Sequence, residues 1–165
     1  MNRGDSVNDK EKDFYTVRGY ERLRQEDRSV TPSMEDYLEM IYRLSRDRGY
    51  ARIGDLASAL HVQPPSASKM VQKLSEVSFL HYEKYGMIEL TGQGRELGEY
   101  LVERHETIER FLKFIGANKG ILEETEKIEH NLSQETVKQI MLLVQFMEGN
   151  QQWMDAFTAY KKNFA

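Results

Sequence analysis

The chain has 165 residues, 23 Lys and Arg against 27 Asp and Glu, and a formal net charge of −4. That length suits one domain, or two small ones sharing a core, and the acidic balance excludes a globally basic nucleic-acid binder while leaving room for a local basic surface. Cysteine is absent, so disulfides and thiolate metal sites are both excluded, and any metal must be held by oxygen and imidazole nitrogen.

Residues 1–30 are polar and mixed in charge and read as an N-terminal extension. Within it "FYTVRGYERL" (Phe14 to Leu23) spaces Phe14, Val17, Tyr20 and Leu23 for a short helix. No apolar run approaches the roughly 20 residues of a membrane span, and the N-terminus lacks the apolar core of a signal peptide, so a cytoplasmic protein without membrane contact is expected.

"TPSMEDYLEMIYRL" carries the first clear helix start. Thr31 or Ser33 can cap it, Pro32 suits a first turn with no donors to lose, and Tyr37, Met40, Ile41 and Leu44 form the expected buried stripe. After Gly49, "RIGDLASALHV" reads as a short helix from Gly54 or Asp55 to Leu60. A second helix opens at Pro64 and Pro65, turns Met70, Val71 and Leu74 inward, and leaves Ser66, Ser68, Lys69, Gln72 and Lys73 outward. "FLHYEKYGMIEL" then predicts a hairpin around Tyr85 and Gly86. Two short helices, a tight turn and a trailing hairpin make a winged helix-turn-helix.

Beyond Thr91 the chain reads as helical. Leu97, Leu101, His105, Ile108, Leu112 and Ile115 recur at steps of three or four, placing His105 in an apolar row. An "EKIEH" helix follows, then a helix capped by Ser133. The last helix carries Trp153, Phe157, Tyr160 and Phe164 on one side, a face wide enough to require a partner surface. The fold class is therefore mainly α: an N-terminal winged helix-turn-helix over 31–99 with a small β-hairpin wing, and an all-helical half over 100–165.

For DNA, the second helix of such a motif enters the major groove while wing and basic residues hold phosphates. The candidate contacts are Gln63, Pro64, Pro65, Ser66, Ser68, Lys69, Gln72, Lys73 and Lys84, with Arg43, Arg46, Arg48 and Arg52 making this half locally basic. The same residues also suit a solvated helix face on a protein-binding module. For metal, Glu126, Glu129 and His130 lie at i, i+3 and i+4 and share one helix face. Asp36 and Glu39 are three apart at the edge of an apolar stripe, and Asp36 alternatively completes a capping box with Ser33. His105 is either a core histidine or a ligand. Jointly these groups offer two imidazoles and four carboxylates, a set that suits octahedral Mn2+ or Fe2+ better than tetrahedral zinc.

An enzyme is disfavoured. "EKIEH" lacks the first histidine of the zinc-protease patterns, Glu126 to His130 spans four rather than three, and neither a nucleophile elbow nor a phosphate loop occurs.

Through "TPSMEDYLEMIY", "GYARIGDLASALHVQPPSASKMVQKL", "YEKYGMIELTGQG", "LVERHETIERFL" and "IEHNLS", from about Thr31 to Met147, the sequence resembles the diphtheria-toxin-repressor family, in its manganese-transport-regulator branch. The resemblance implies a homodimeric, manganese-dependent transcriptional repressor of metal-uptake genes that binds a palindromic double-stranded operator. Its helical half would handle metal binding and dimerisation. By position it implies the metal ligands Asp36, Glu39, His105, Glu126, Glu129 and His130, holding two Mn2+ per subunit, with Fe2+, Cd2+, Co2+ or Zn2+ as substitutes. The iron branch of that family has a methionine and a cysteine where this chain has Asp36 and Glu129, and hard oxygen at both points to manganese. The extension before Thr31 is longer than in compact members of the family, and the wing tip "KYGM" is short and less basic than usual. A winged-helix regulator answering to Fe2+ or to a small organic ligand is the alternative.

Overall fold

The computed structural model describes residues 30–82 and 86–163. The helix expected within Phe14 to Leu23 lies outside them. Pro32–Ala165 is one compact unit. Its helices are α1 (Pro32–Ser45), α2 (Ile53–Ala59), α3 (Pro64–Glu76), α4 (Gly92–Ile115), α5 (Ile121–Glu129), α6 (Gln134–Glu148) and α7 (Gln151–Lys161). Its strands are β1 (Ala51–Arg52), β2 (Leu80–Tyr82) and β3 (Met87–Leu90).

The strands form one antiparallel sheet in the order β1-β3-β2, with Ala51 opposite Ile88 and Leu80 opposite Leu90. Ile88 and Leu90 are buried while Glu89 between them is exposed, the period-two pattern of a half-buried strand. The expected hairpin is thus β2-β3. Strand β1 had no sequence signal, because two residues are too few to show alternation.

Helices α2 and α3 are joined through Leu60 to Gln63. His61 turns the chain with φ of 54°, in the left-handed region, and the Val62 N–H donates to the Ala57 carbonyl at 2.9 Å. Pro64 and Pro65 occupy the first turn of α3, where N–H groups have no intrahelical partner. Ala67, Val71 and Leu74 point into a core with Leu38, Ile41, Leu56, Leu80 and Ile88. Together α1 to α3 and the sheet are the expected winged helix-turn-helix.

Helix α4, capped by the Thr91 hydroxyl accepting from the Gly94 N–H at 3.1 Å, runs on through residues 99 and 100 and packs against α1, α5 and α6. Ile108, Leu112 and Val137 centre a second core, flanked by Ala117, Ile121, Ile128 and Leu132. Ser133 caps α6 as expected, accepting from the Thr136 N–H at 3.1 Å.

The buried face of α1 differs from the expected stripe. Met34, Leu38, Ile41 and Ser45 are buried, and so are Glu35 and Glu39, whereas Tyr37, Met40 and Leu44 are only half-buried. The face is rotated because two carboxylates, which a hydrophobicity pattern assigns to solvent, turn inward to meet α4 and α5.

The approach of α1 to α4 depends on Gly98. A Cβ there would lie 2.7 Å from Tyr42 Cβ. Gly98→Ala must push the two helices apart, and urea unfolding should show a loss of about 1–3 kcal/mol; unchanged stability would mean that the crossing has slack.

Candidate metal centre

Three helices converge on one joint. Asp36 and Glu39 come from α1, His105 from α4, and Glu126 and Glu129 from α5, whose C-cap residue is His130. All six residues expected to hold metal therefore meet, in two adjoining groups that share Glu129: Asp36, Glu126, Glu129 and His130, and Glu39, His105 and Glu129. Within each group the potential ligand atoms lie within 4.8 Å of one another. Asp36 bonds His130 across the joint, and Ser33 lies inside α1 rather than at its cap, so the capping-box alternative is excluded.

The contacts are those of oppositely charged groups. His130 Nε2 is 2.9 Å from Asp36 Oδ1, 3.6 Å from Glu129 Oε1 and 3.9 Å from Glu126 Oε2. Its Nδ1 is 2.9 Å from Glu35 Oε2. His105 Nδ1 is 2.9 Å from Glu129 Oε2 and 3.8 Å from Glu126 Oε1. Arg43 donates to Glu39 Oε1 through Nε at 2.9 Å and Nη2 at 2.8 Å, so this arginine is committed to the joint rather than to a basic DNA surface. Arg104 donates from Nη1 to Glu35 Oε2 at 3.0 Å and is almost wholly buried.

Sequence reasoning missed Glu35 and Arg104. Each is a charged residue on a helix, and only the partner 69 positions away explains the burial of either. A weak signal existed: Arg104 falls at helical spacing between the buried Leu101 and the buried Thr107 and Ile108 on the packed side of α4.

Five carboxylates (Glu35, Asp36, Glu39, Glu126 and Glu129) thus face two arginines and two imidazoles. Burial and these contacts shift the proton affinities of the joint. Hydrogen bonds donated to Asp36 and then to Glu35 push His130 up to about 9, against the opposing effect of burial. The bond to Glu129 raises His105. Burial raises Glu39, opposed by Arg43. Burial and then the charges of Glu129 and Asp36 raise Glu126, although half of its side chain remains exposed. A joint in which burial raises Glu39 and Glu126 and carboxylate partners raise both imidazoles suits a divalent ion: the donors are hard oxygen and borderline nitrogen with no sulfur.

Two family descriptions match the chain: iron dependent repressor, N-terminal DNA binding domain, over residues 29–88, and iron dependent repressor, metal binding and dimerisation domain, over residues 91–152. Over 133 residues it is 46% identical to the HTH-type transcriptional regulator MntR of Geobacillus thermodenitrificans (strain NG80-2), covering 80% of this chain and 94% of that one. The MntR of Geobacillus kaustophilus (strain HTA426) matches at the same identity and coverage. The chain belongs to the diphtheria-toxin-repressor family. Within that family it falls in the manganese-transport-regulator branch. Among solved structures it is similar to the manganese regulator SloR, with a TM-score of 0.60 and 32% identity over 71% of this chain. It spans 55% of the SloR chain.

Family membership makes the chain a dimeric, DNA-binding transcriptional repressor that binds divalent metal ions. On the DNA-reading side, Gln63, Pro64, Pro65, Ser66, Lys69, Gln72 and Lys73 are exposed along α3 and its start, and Ser68 is half-buried. Arg46, Arg48 and Arg52 are exposed nearby. Lys84 lies outside the described residues. On the other half, Leu142, Leu143 and Phe146 of α6 and Trp153 and Tyr160 of α7 are exposed on the single chain; Phe164, expected beside them, is outside the described residues. No helix among the described residues is long and apolar enough to cross a membrane.

A raised folded-state value stabilises the fold below the unfolded value and loses that contribution as pH rises through the folded one. For His130 that window runs from about 6.5 to about 9. Metal-free protein melted in chelator should lose stability across this window, by at most on the order of 3 kcal/mol. A His130→Gln variant should lose much less, and a wild-type midpoint that stays level would remove the His130 ion pairs from the account.

Proposed function

We propose that the chain is a manganese-responsive repressor of manganese-uptake genes, acting in the cytoplasm without catalysis, and that Asp36, Glu39, His105, Glu126, Glu129 and His130 hold two Mn2+ per subunit. The observation that carries this reading is the convergence of these six residues from α1, α4 and α5 into two groups bridged by Glu129. The similarity to the Geobacillus HTH-type transcriptional regulators MntR supports it, as does a donor set without sulfur.

When bound, a divalent cation supplies the positive charge that the joint lacks. Everything else is done by the protein. His105 and His130 give up protons, which is required for an imidazole lone pair to coordinate. Glu39 shares or releases its oxygen from Arg43. Asp36 and Glu39, no longer repelled by Glu126 and Glu129, hold α1 against α5. Because α1 packs on α2 and α3, a fixed α1 fixes the attitude of the outward face of α3. Residues 31–99 then act as the reading half and 100–165 as the dimerising half, joined by α4, with the exposed apolar residues of α6 and α7 facing the second copy. A dimer reads two half-sites at set spacing, so holding α3 steady favours the operator. Gln63, Pro64, Pro65, Ser66, Ser68, Lys69, Gln72, Lys73 and Lys84 are the proposed DNA contacts.

Linkage requires operator DNA to tighten metal binding by the factor by which metal tightens DNA binding, typically about 5–150-fold. Fluorescence anisotropy with a palindromic operator should show that gain in Mn2+ over chelator. Glu126→Ala and His130→Ala should erase it while leaving weak binding in place. Equal affinity in both conditions would refute the sensor, and a larger gain with Fe2+ than with Mn2+ would reassign the metal.

A further inference from the structure

The six ligands leave Glu35 without a role, yet it is only 7% exposed and its partners are specific. It stands beside Asp36 on α1, and the two adjacent carboxylates take opposite nitrogens of one ring: Asp36 Oδ1 is 2.9 Å from His130 Nε2, and Glu35 Oε2 is 2.9 Å from His130 Nδ1. The same Glu35 oxygen accepts from Arg104 Nη1 at 3.0 Å, and Arg104 also reaches to 3.9 Å from Glu129 Oε1. Glu35 belongs to neither group of mutually close donor atoms. It therefore sits behind the ring, on the side away from the proposed ligands.

We propose that Glu35, held in place by Arg104, is a positioning residue that keeps the single proton of neutral His130 on Nδ1 and so presents Nε2, on the Asp36 side, to the cation. This rests on the reading of His130 as a ligand and adds which nitrogen serves and what selects it. A neutral imidazole has one N–H and one lone pair, and the hydrogen bond made by one nitrogen decides which the other carries. Both groups behind the ring are buried, and the guanidinium of Arg104, donating to Glu35 at 3.0 Å, holds that carboxylate in place. Arg104 Nη2 also approaches His130 Nδ1, but at 3.4 Å against 2.9 Å for Glu35 Oε2, so the carboxylate, which can only accept, is the closer partner and takes the Nδ1–H. Because Glu35 is on α1 and His130 ends α5, the bond also links the two helices whose separation the joint controls.

Heteronuclear NMR on full-length protein with nitrogen-labelled histidine, loaded with an NMR-active cadmium isotope, tests this directly. The expected result is scalar coupling of cadmium to His130 Nε2, with Nδ1 bearing hydrogen. Coupling to Nδ1 would overturn the proposal while leaving His130 a ligand, and no coupling to either nitrogen would overturn both. Calorimetric titration with Cd2+ adds a second readout. Glu35→Leu, which removes the acceptor, should weaken binding by about 10–100-fold, and Glu35→Gln, which restores an acceptor oxygen and keeps the volume, should recover most of it. Wild-type affinity in a folded Glu35→Leu protein would overturn the proposal, and if that variant fails to fold the coupling pattern of the wild type still decides.

Discussion

Five carboxylates carried by two helices cannot remain together in a largely buried joint unless positive charge stands among them, and the arrangement of α1, α4 and α5 follows from that constraint. In the single chain the charge comes from Arg43, Arg104 and the two imidazoles, with His130 gripped on both ring nitrogens by α1. Protons are a poor solution, because they leave as pH rises and each serves one pair. Two divalent cations at the adjoining groups would serve several carboxylates at once, with Glu129 common to both. On the proposed reading, a cation at the joint would compete with protons and with Arg43 for the same oxygens.

In the proposed mechanism, a change at the joint would reach DNA through packing. Helix α1 lies on α2 and α3, while α4 contacts both β3 of the sheet and the helices of the second core. Gly98 lets Tyr42 sit against α4 with almost no intervening side chain, so a small change at Asp36 and Glu39 cannot be absorbed by compliant packing one turn further on. The same economy places Glu35 and Asp36 on consecutive positions of α1, where a helical step of about 100° directs them to opposite edges of one ring.

The elements were largely legible in the sequence, since each rests on local physics: the Pro64-Pro65 start of α3, the cap at Ser133, the alternation of Ile88, Glu89 and Leu90. Strand β1 was not, being two residues long and defined only by its pairing with β3. The face of α1 was misphased for a different reason, because burial of Glu35 and Glu39 is unfavourable until partners are supplied, Arg104 from 69 positions on for Glu35 and Arg43 for Glu39. At the joint, Glu126, Glu129 and His130 announced themselves by helical spacing. Nothing in spacing relates Asp36 to His130 across 94 positions; only the family resemblance put them in one set. Glu35 and Arg104 escaped both routes, because neither belongs to the inherited ligand set and each looks like a surface residue until the other is seen.

The central claim is that charge compensation at the joint sets the geometry of the two α3 helices in the dimer. Since the chain has no cysteine, Glu76→Cys at the exposed end of α3 gives a single spin-labelling position, and double electron–electron resonance then reports the distance between protomers with diamagnetic Cd2+ or with chelator. The account predicts a broad spread of distances in chelator that narrows to one population with the cation. The same distribution in both conditions would contradict it.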